Sequence, residues 1–364
     1  MPLYAAISNS TVRDSLVVPA LAGKWAECSW FGRLNFRLKA GLRTKWDSRT
    51  KLVSLFTLLT AFYLAGSDCC AQVAAKQEAA KQTGSSNTRE ELLAASDGWP
   101  IHATYYESAA GKESPVVILL AGAEGRDKKD ARNRRVWQNT AVALQKSGCA
   151  VLAVDLRKHG DSIPEATEPD SPLLRMTPTE YVVMTTLDMD AVKTFLLSEH
   201  QNEKLNIRKT GIVAVGSSAM VAAAATVADW EKKPYPDGPT LETSTPRGQD
   251  VRALIMYSPN AGVKGINSNT IMKSIKVLPI AVHVIASKDV KEDARSADKI
   301  FKAVEIKDDQ FKDTRKYTAV AGEITAEGFL EGRFADPTNK DITEFLTRNL
   351  KELDMPWTSR KSRL

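Results

Sequence analysis

The segment Lys209–Trp230 constrains the fold more than any other part of the chain, because it combines a strand, a sharp turn and a helix. Gly211–Val215 is a short apolar run with β-branched residues, which predicts a buried strand. Gly216-Ser217-Ser218 predicts a tight turn, and the Ala-rich run Ala219–Trp230 predicts a closely packed helix. Such a turn lifts a serine to the top of a parallel sheet, where the helix N-terminus directs backbone N–H groups towards it. This is the structural context of a nucleophile elbow.

The elbow pattern small-x-Ser-x-small matches Gly216-Ser217-Ser218-Ala219-Met220 only in part. It places Ser218 in the nucleophile position, whereas Met220 occupies a place where the close backbone crossing favours Gly or Ala. Serine is also a preferred helix N-cap, so the interpretation of Ser218 as a cap without chemistry stays open.

Strands and helices alternate around this segment. The chain of 364 residues, 43% of them hydrophobic, suffices for one large α/β domain. The other predicted strands are Ile101–Glu107, Val116–Leu120, Ala150–Leu156, Val251–Tyr257, Ile280–Ala286 and Tyr317–Val320. The other predicted helices are Val136–Lys146, one that begins in the capping box Thr177-Pro178-Thr179-Glu180, Ala294–Val304 and Lys340–Leu353. Repeated β-α units predict a doubly wound, mostly parallel sheet with helices on both faces.

The domain that these elements form is expected to cover residues 96–353. Residues 73–95 are rich in Gln, Ala, Lys and Ser and predict a linker, and residues 354–364 predict a basic tail. Two sizeable segments late in the domain, Lys232–Gln249 and Ser258–Val277, are too short for a lid domain, so we expect an open site.

The net charge of +6 is concentrated near the N-terminus, because residues 1–72 hold nine basic and four acidic side chains. The rest of the chain is close to neutral, so charge gives no argument for nucleic acid as a partner. Cys149 is the one cysteine that follows this basic region. A lone cysteine beside apolar residues predicts a packed thiol, and the sequence shows no spacing typical of a metal site. We therefore predict neither a metal nor another cofactor.

Residues 51–72 resemble an export signal. Basic residues precede the apolar run Leu52–Gly66, which is shorter than the roughly 20 residues of a membrane span. Small and polar residues follow, which predicts cleavage after Ala71 and a periplasmic or extracellular protein. No fold is assigned to the basic extension at residues 1–50. The alternatives are an uncleaved anchor, which would put the protein at a membrane, and a mistaken start site.

The order of the motifs resembles the α/β-hydrolase superfamily, closest to the dienelactone-hydrolase-like bacterial esterases, over about Trp99 to Leu353. The most specific part is Asp155–Ser162 (DLRKHGDS), which is similar to the family's Asp-x-Arg-Gly-His-Gly-x-Ser stretch with Lys in place of the first Gly. The segment Val117–Gly125 is similar to the strand and His-Gly loop of the oxyanion hole, with Ala where His is usual. The segment Leu278–Asp289 is similar to the strand that ends in the acid of the catalytic triad.

This resemblance implies a role for each matching residue. Ser218 would be the nucleophile and Asp289 the triad acid, with the backbone N–H groups of Ala123 and Ala219 as the oxyanion hole. The family's catalytic His belongs to the loop after the last strand, and Glu327 stands in its place.

The missing His decides the functional interpretation, because a serine hydroxyl needs a positioned base and a carboxylate does not normally serve at neutral pH. Of the four histidines, only His159 is expected near the carboxyl edge of the sheet, and it is an alternative base for Ser218. Asp289 and Glu327 can also be explained as solvated carboxylates without a catalytic role.

The favoured interpretation is an exported α/β-hydrolase-fold protein that is catalytically degenerate and binds a small-molecule ester, a similar ligand or a partner. One alternative is an active serine esterase with an atypical base. In its sharpest form Ser218, Glu327 and Asp289 act together at acidic pH, an arrangement that resembles the triad of sedolisin-type peptidases. The other alternative is an envelope-anchored interaction protein that retains residues 51–72.

Overall fold

The computed structural model describes residues 87–124, 133–164, 167–168, 171–311 and 313–362. The predicted extension at residues 1–50 and the predicted signal at residues 51–72 lie outside the described residues and stay predictions. Within the described ranges, no helix is long and apolar enough to cross a membrane.

Eight strands form one sheet in the described part of the chain, in the order β1-β2-β4-β3-β5-β6-β7-β8. Their bounds are Thr88–Ala94, Pro100–Tyr106, Val116–Leu120, Ala150–Val154, Thr210–Val215, Val251–Tyr257, Ala281–Ser287 and Arg315–Val320. β2 runs antiparallel to its neighbours β1 and β4, and every other pair is parallel. A sheet of this order with a strand–turn–helix elbow after the central β5 is the α/β-hydrolase arrangement, so the predicted fold class is confirmed.

Helices cover both faces of this sheet. In chain order α1 to α7 are Gln138–Lys146, Pro178–Val183, Met189–Gln201, Ser218–Glu231, Ser268–Lys276, Lys291–Val304 and Gly332–Leu346. Apolar side chains of α1 and α7 pack into one hydrophobic cluster, and those of α2 to α6 pack into the cluster on the opposite face. β3, β4 and β5 are buried along their whole length, as their continuous apolar sequences require in a sheet covered on both sides.

The helix α4, which follows the elbow, is the most completely buried of the seven. All of its residues from Ser218 to Val227 are buried. Its alanines favour this, because small side chains allow a helix to approach the sheet and its neighbours closely, and a helix that is apolar on all sides is buried. The elbow is therefore held on a rigid base.

Half of the predicted capping box is present, with Pro178 at the first helical position and the Thr177 hydroxyl accepting the Glu180 N–H at 3.4 Å. The Glu180 carboxylate, which a complete box turns back to the Thr177 N–H, pairs instead with Lys158 at 2.7 Å. The helix that it opens is interrupted by a π-helical turn, Met184–Asp188, before it continues as α3. A π turn inserts one extra residue per turn and changes which side chains face the sheet.

Three boundaries differ from the sequence predictions. β1 lies within the expected linker at 73–95, because its sequence TREELLA lacks the polar–apolar alternation that predicts a strand, and Leu93 is its one buried residue. α5 lies within the expected insertion Ser258–Val277. The expected tail at 354–364 is partly buried, since Arg360 pairs with Asp250 beneath the sheet.

Candidate active site

The elbow turn joins β5 to α4 through Gly216, whose φ of +58° lies in the left-handed region. Its N–H donates to Tyr257 O at 2.9 Å and its own carbonyl accepts the Asn260 N–H at 3.2 Å, so the turn is fixed against the end of β6. Glycine reaches this conformation without the steric cost that a Cβ imposes. Ser217 follows as the N-cap residue, and α4 begins at Ser218.

Ser218 is not at the exposed position of the elbow. Its side chain is fully buried, and its hydroxyl donates to Val215 O at 2.7 Å. A hydroxyl that is fully buried and donates its proton to a backbone carbonyl of the same turn does not reach a substrate. The assignment of Ser218 to the nucleophile position is therefore corrected, because the turn places that serine inside the helix.

The left-handed residue marks the elbow position, and that residue is Gly216. In this register the elbow pattern is Ala214-Val215-Gly216-Ser217-Ser218, with a small residue at both ends. The mismatch of Met220 disappears, since Met220 lies two residues further along and is fully buried in the core. The elbow therefore presents no side chain where a nucleophile is expected.

The carboxylate of Glu124 fills the space above Gly216. A Cβ built on Gly216 would overlap with this carboxylate, and Glu124 Oε1 accepts a hydrogen bond from the Ser217 N–H. The N-terminus of α4 favours a negative charge at this point, because its first N–H groups have no partner within the helix.

A second carboxylate, that of Glu327, reaches the same place from the other side. Glu327 lies in the short helix Ala326–Leu330 after β8, and its Oε1 accepts the Gly122 N–H at 2.8 Å. A Cβ on Gly122 would lie 2.5 Å from Glu124 Oε2 and 2.6 Å from Glu327 Oε1. The two carboxylates thus converge on one face of Gly122.

The segment that carries Glu327 is positioned by a chain of hydrogen bonds. The Ala326 N–H donates to the Ser258 hydroxyl at 2.9 Å, and this hydroxyl donates to Asp293 Oδ2 at 3.1 Å. Burial raises the pKa of the Asp293 carboxyl above its ordinary value, and the hydrogen bonds from Ser287 and Ser258 oppose that shift.

Two N–H groups at this edge stand where an oxyanion hole is built in this fold: that of the residue after the elbow position, and one from the loop after the third strand. Here these are the N–H groups of Ser217 and Gly122, and each donates to a carboxylate of the chain itself.

The predicted oxyanion residues are placed differently. The Ala219 N–H donates to Gly216 O at 3.3 Å within the first turn of α4. Ala123 is fully buried, and its carbonyl accepts the Tyr181 hydroxyl at 2.8 Å.

Asp289 contacts the loop that follows β8. Its exposed carboxylate accepts the Gly322 N–H at 2.6 Å, and its own N–H donates to the Ser287 hydroxyl at 3.1 Å. Among the described residues, no hydrogen bond or ion pair joins any two of Ser218, Asp289 and Glu327. Ser218 belongs to the elbow itself, and of the other two only Glu327 contacts the Gly122 loop beside it.

Three of the four histidines have side-chain partners away from the elbow, and His102 lies in β2. His159 Nδ1 is 2.9 Å from Arg157 O, and His200 lies between the carbonyls of Leu205 and Thr358. His283 Nε2 is 2.9 Å from the Thr318 hydroxyl, and burial lowers the pKa of His283 to about 4. No hydrogen bond from a histidine to Ser217, Ser218 or Glu327 occurs within the described ranges.

The stretch Asp155–Ser162, by contrast, is fully integrated into the fold. The buried Asp155 carboxylate accepts hydrogen bonds from the backbone and guanidinium of Arg134 and from the Asp161 N–H. Gly160 has a φ of +50°, and a Cβ there would overlap with this carboxylate. Lys158, at the position where the family has Gly, adopts a left-handed φ of +66°. The glycine preference at both positions is therefore conformational.

No group of three or more His, Cys, Asp or Glu side chains that could hold a metal ion occurs in the part of the chain that the structure describes.

No protein-family model and no curated protein matches this chain. Among solved structures, it is similar to an esterase of Pyrococcus furiosus, at 16% identity and a TM-score of 0.47 over 72% of this chain and 91% of that one. It is also similar to the dienelactone hydrolase of Anabaena variabilis, at 12% identity and a TM-score of 0.42 over 72% of this chain and 99% of that one. A carboxyl esterase of Bacillus coagulans is similar at 9% identity and a TM-score of 0.49 over 73% of this chain and 100% of that one. TM-scores below 0.5 carry no argument about function, so the fold is assigned from the chain's own sheet and elbow.

The sequence interpretation missed Gly216 and Glu124. Met220 was the available signal for Gly216. With Ser218 as the elbow residue, Met220 stands where a small residue is required, whereas with Gly216 as the elbow residue that place is taken by Ser218. Glu124 is 93 residues from Ser217, and a carboxylate in a charged loop gave no signal of where it would point.

Proposed function

We propose that this α/β-hydrolase-fold chain is catalytically degenerate and that its elbow does not hydrolyse esters. The observation that carries the proposal is the Glu124 carboxylate, which occupies the space above Gly216 and accepts the Ser217 N–H.

The chemistry of ester hydrolysis supports this. Acyl transfer on this fold needs a nucleophile at the elbow, a base that receives its proton, and two N–H groups that stabilise the oxyanion. Gly216 supplies no nucleophile, and the N–H groups of Ser217 and Gly122 already donate to Glu124 and Glu327. Loss of a nucleophile costs about 10⁶-fold in kcat, and loss of one oxyanion donor costs about 10²–10³-fold.

A degenerate site of this kind is expected to act by binding. Two internal carboxylates at the carboxyl edge disfavour an anionic ligand there, because like charges at short range repel. A small-molecule ester or similar uncharged ligand, or a partner protein, remains the proposed class of binding partner.

The test is hydrolysis of p-nitrophenyl butyrate between pH 4 and 8. We expect the parent to match Ser217→Ala and Ser218→Ala at every pH, because neither hydroxyl is placed as a nucleophile. A rate that falls on removal of either hydroxyl would establish a serine esterase instead. A rate that peaks at acidic pH and disappears in both Ser218→Ala and Glu327→Gln would support the acidic triad.

A gain-of-function variant tests the geometric explanation. Gly216→Ser, Glu124→Ala and Glu327→His together restore a nucleophile, free the Ser217 N–H and supply an imidazole at the family's position. We expect this triple variant to exceed the parent rate near pH 7.5. Its matched control lacks only Gly216→Ser and should stay at the parent rate.

Export is the second part of the proposal. It rests on the basic residues before Leu52 and on the length of the apolar run Leu52–Gly66. N-terminal sequencing of the protein from its natural source should begin near Gln72. Recovery of Met1 would contradict export by cleavage and support an anchor.

A further inference from the structure

A cavity of about 190 Å³ lies at the end of the sheet opposite to the elbow. It is lined by the first residues of β5 and β6, Thr210 and Val251, and by side chains of α3 and α4. The elbow, in contrast, follows the last residue of β5. The cavity therefore shares α4 with the elbow but lies at the other end of β5.

Most of the cavity wall is apolar. Three strand or turn residues and two residues of α3 supply the main surface: Ile118, Ile207, Ile212, Met189 and Leu196. An engineered cavity of about 150 Å³ in another protein binds benzene, so a cavity of this volume has room for an organic molecule. The wall chemistry favours an apolar occupant.

The charged groups at the rim are paired with one another. Lys193 contacts the carboxylates of Asp229 and Asp250, and Asp250 also pairs with Arg360. Lys232 pairs with Asp190 at 2.7 Å. Three carboxylates thus face three cations, and a charged ligand would have to replace one of these pairs. An uncharged ligand avoids that cost.

The backbone is irregular at the same place. The π turn Met184–Asp188 contributes Thr185 and Thr186 to the cavity wall. Their hydroxyls donate to Tyr181 O and Val182 O, so these hydroxyl protons are already engaged within the helix. The turn is fixed by Asp188, which is fully buried and paired with Arg157. π turns in helices occur frequently at functional sites.

We propose that this cavity binds an uncharged, mainly apolar small molecule. The proposal goes beyond the function proposed for the elbow and does not depend on it, because the two sites lie at opposite ends of β5. The volume of the cavity, its mostly apolar wall and the pairing of the charged groups that line it all favour this class of ligand.

The test uses the full chain and the neutral dye N-phenyl-1-naphthylamine, whose fluorescence rises in apolar surroundings. We expect saturable binding to the parent with one site per chain. Ala228→Leu adds a larger side chain to the cavity wall and should weaken binding at least tenfold. Thr194→Leu adds the same side chain on the exposed side of α3 and should leave binding unchanged.

Two further arms keep the proposal falsifiable. Circular dichroism verifies folding, and Ala225→Val is a smaller substitution in the same wall if Ala228→Leu does not fold. The anionic dye 1-anilinonaphthalene-8-sulfonate should bind at least tenfold more weakly than the neutral dye. Absence of saturable binding, equal binding of the two dyes, or equal binding by Ala228→Leu and the parent would overturn the proposal.

Discussion

Two loops at the carboxyl edge of the same sheet have diverged in opposite ways. The loop Asp155–Ser162 follows β4 and keeps the family pattern at every position but Lys158, which still adopts the left-handed φ that the position requires. The elbow at Gly216 follows β5 and has the backbone turn, but glycine stands at its left-handed position, and the N–H groups of Ser217 and Gly122 donate to carboxylates.

The difference shows which part of a hydrolase motif folding itself requires. The Asp155 carboxylate satisfies buried N–H groups of Arg134 and Asp161, and its loss would leave these donors unpaired. The side chain of a nucleophile, in contrast, is not needed to satisfy buried N–H groups of the fold. At the elbow, a carboxylate beside the N-terminus of α4 even favours folding, because it complements the helix dipole.

The largest effect is expected for Gly160→Ala, which places a methyl group onto the Asp155 carboxylate in a left-handed conformation. We expect a loss of about 3–5 kcal/mol in the free energy of unfolding, measured with urea. Gly98→Ala is the matched control, because Gly98 has a φ of +83° and open space around it. The control should lose only about 1 kcal/mol. Equal losses would show that the Asp155 contact is unimportant.

Gly216→Ala is expected to cost about 2–4 kcal/mol, since the new methyl group meets the Glu124 carboxylate. In a Glu124→Ala background the same substitution should cost only the conformational strain, about 1 kcal/mol. The coupling is read from a double-mutant cycle of unfolding free energies. Additive effects would contradict the placement of Glu124 over the elbow.

These two predictions depend on features that the sequence revealed to different degrees. The alternation of apolar strands and helices predicted the parallel sheet, because buried strands and capped helices leave local patterns. The loop at Asp155 was recognisable because its constraints are local and conformational. Neither Glu124 nor β1 could be placed, since one acts 93 residues from its partner and the other is a polar edge strand.

A smaller effect is expected from neutralising each carboxylate in turn. Glu124→Gln removes a charge from the N-terminus of α4 and should cost about 0.5–1.5 kcal/mol of unfolding free energy at low ionic strength. Glu327→Gln acts on the Gly122 N–H, which belongs to a loop and not to a helix end, so its cost should be at most about 0.5 kcal/mol. If Glu327→Gln lowered the free energy of unfolding more than Glu124→Gln, this would contradict the expectation that the Glu124 contact is the stronger of the two. The measurement is urea unfolding at two salt concentrations, and only the Glu124 effect should shrink with salt.

The central claim is that the elbow of this chain has no catalytic serine. The most direct measurement is incubation of the full chain with a fluorophosphonate probe, followed by mass mapping of labelled residues, with an active serine esterase as the positive control. The account predicts that Ser217 and Ser218 stay unmodified, because Ser218 is buried and the elbow position is Gly216. Stoichiometric labelling of either serine would contradict it.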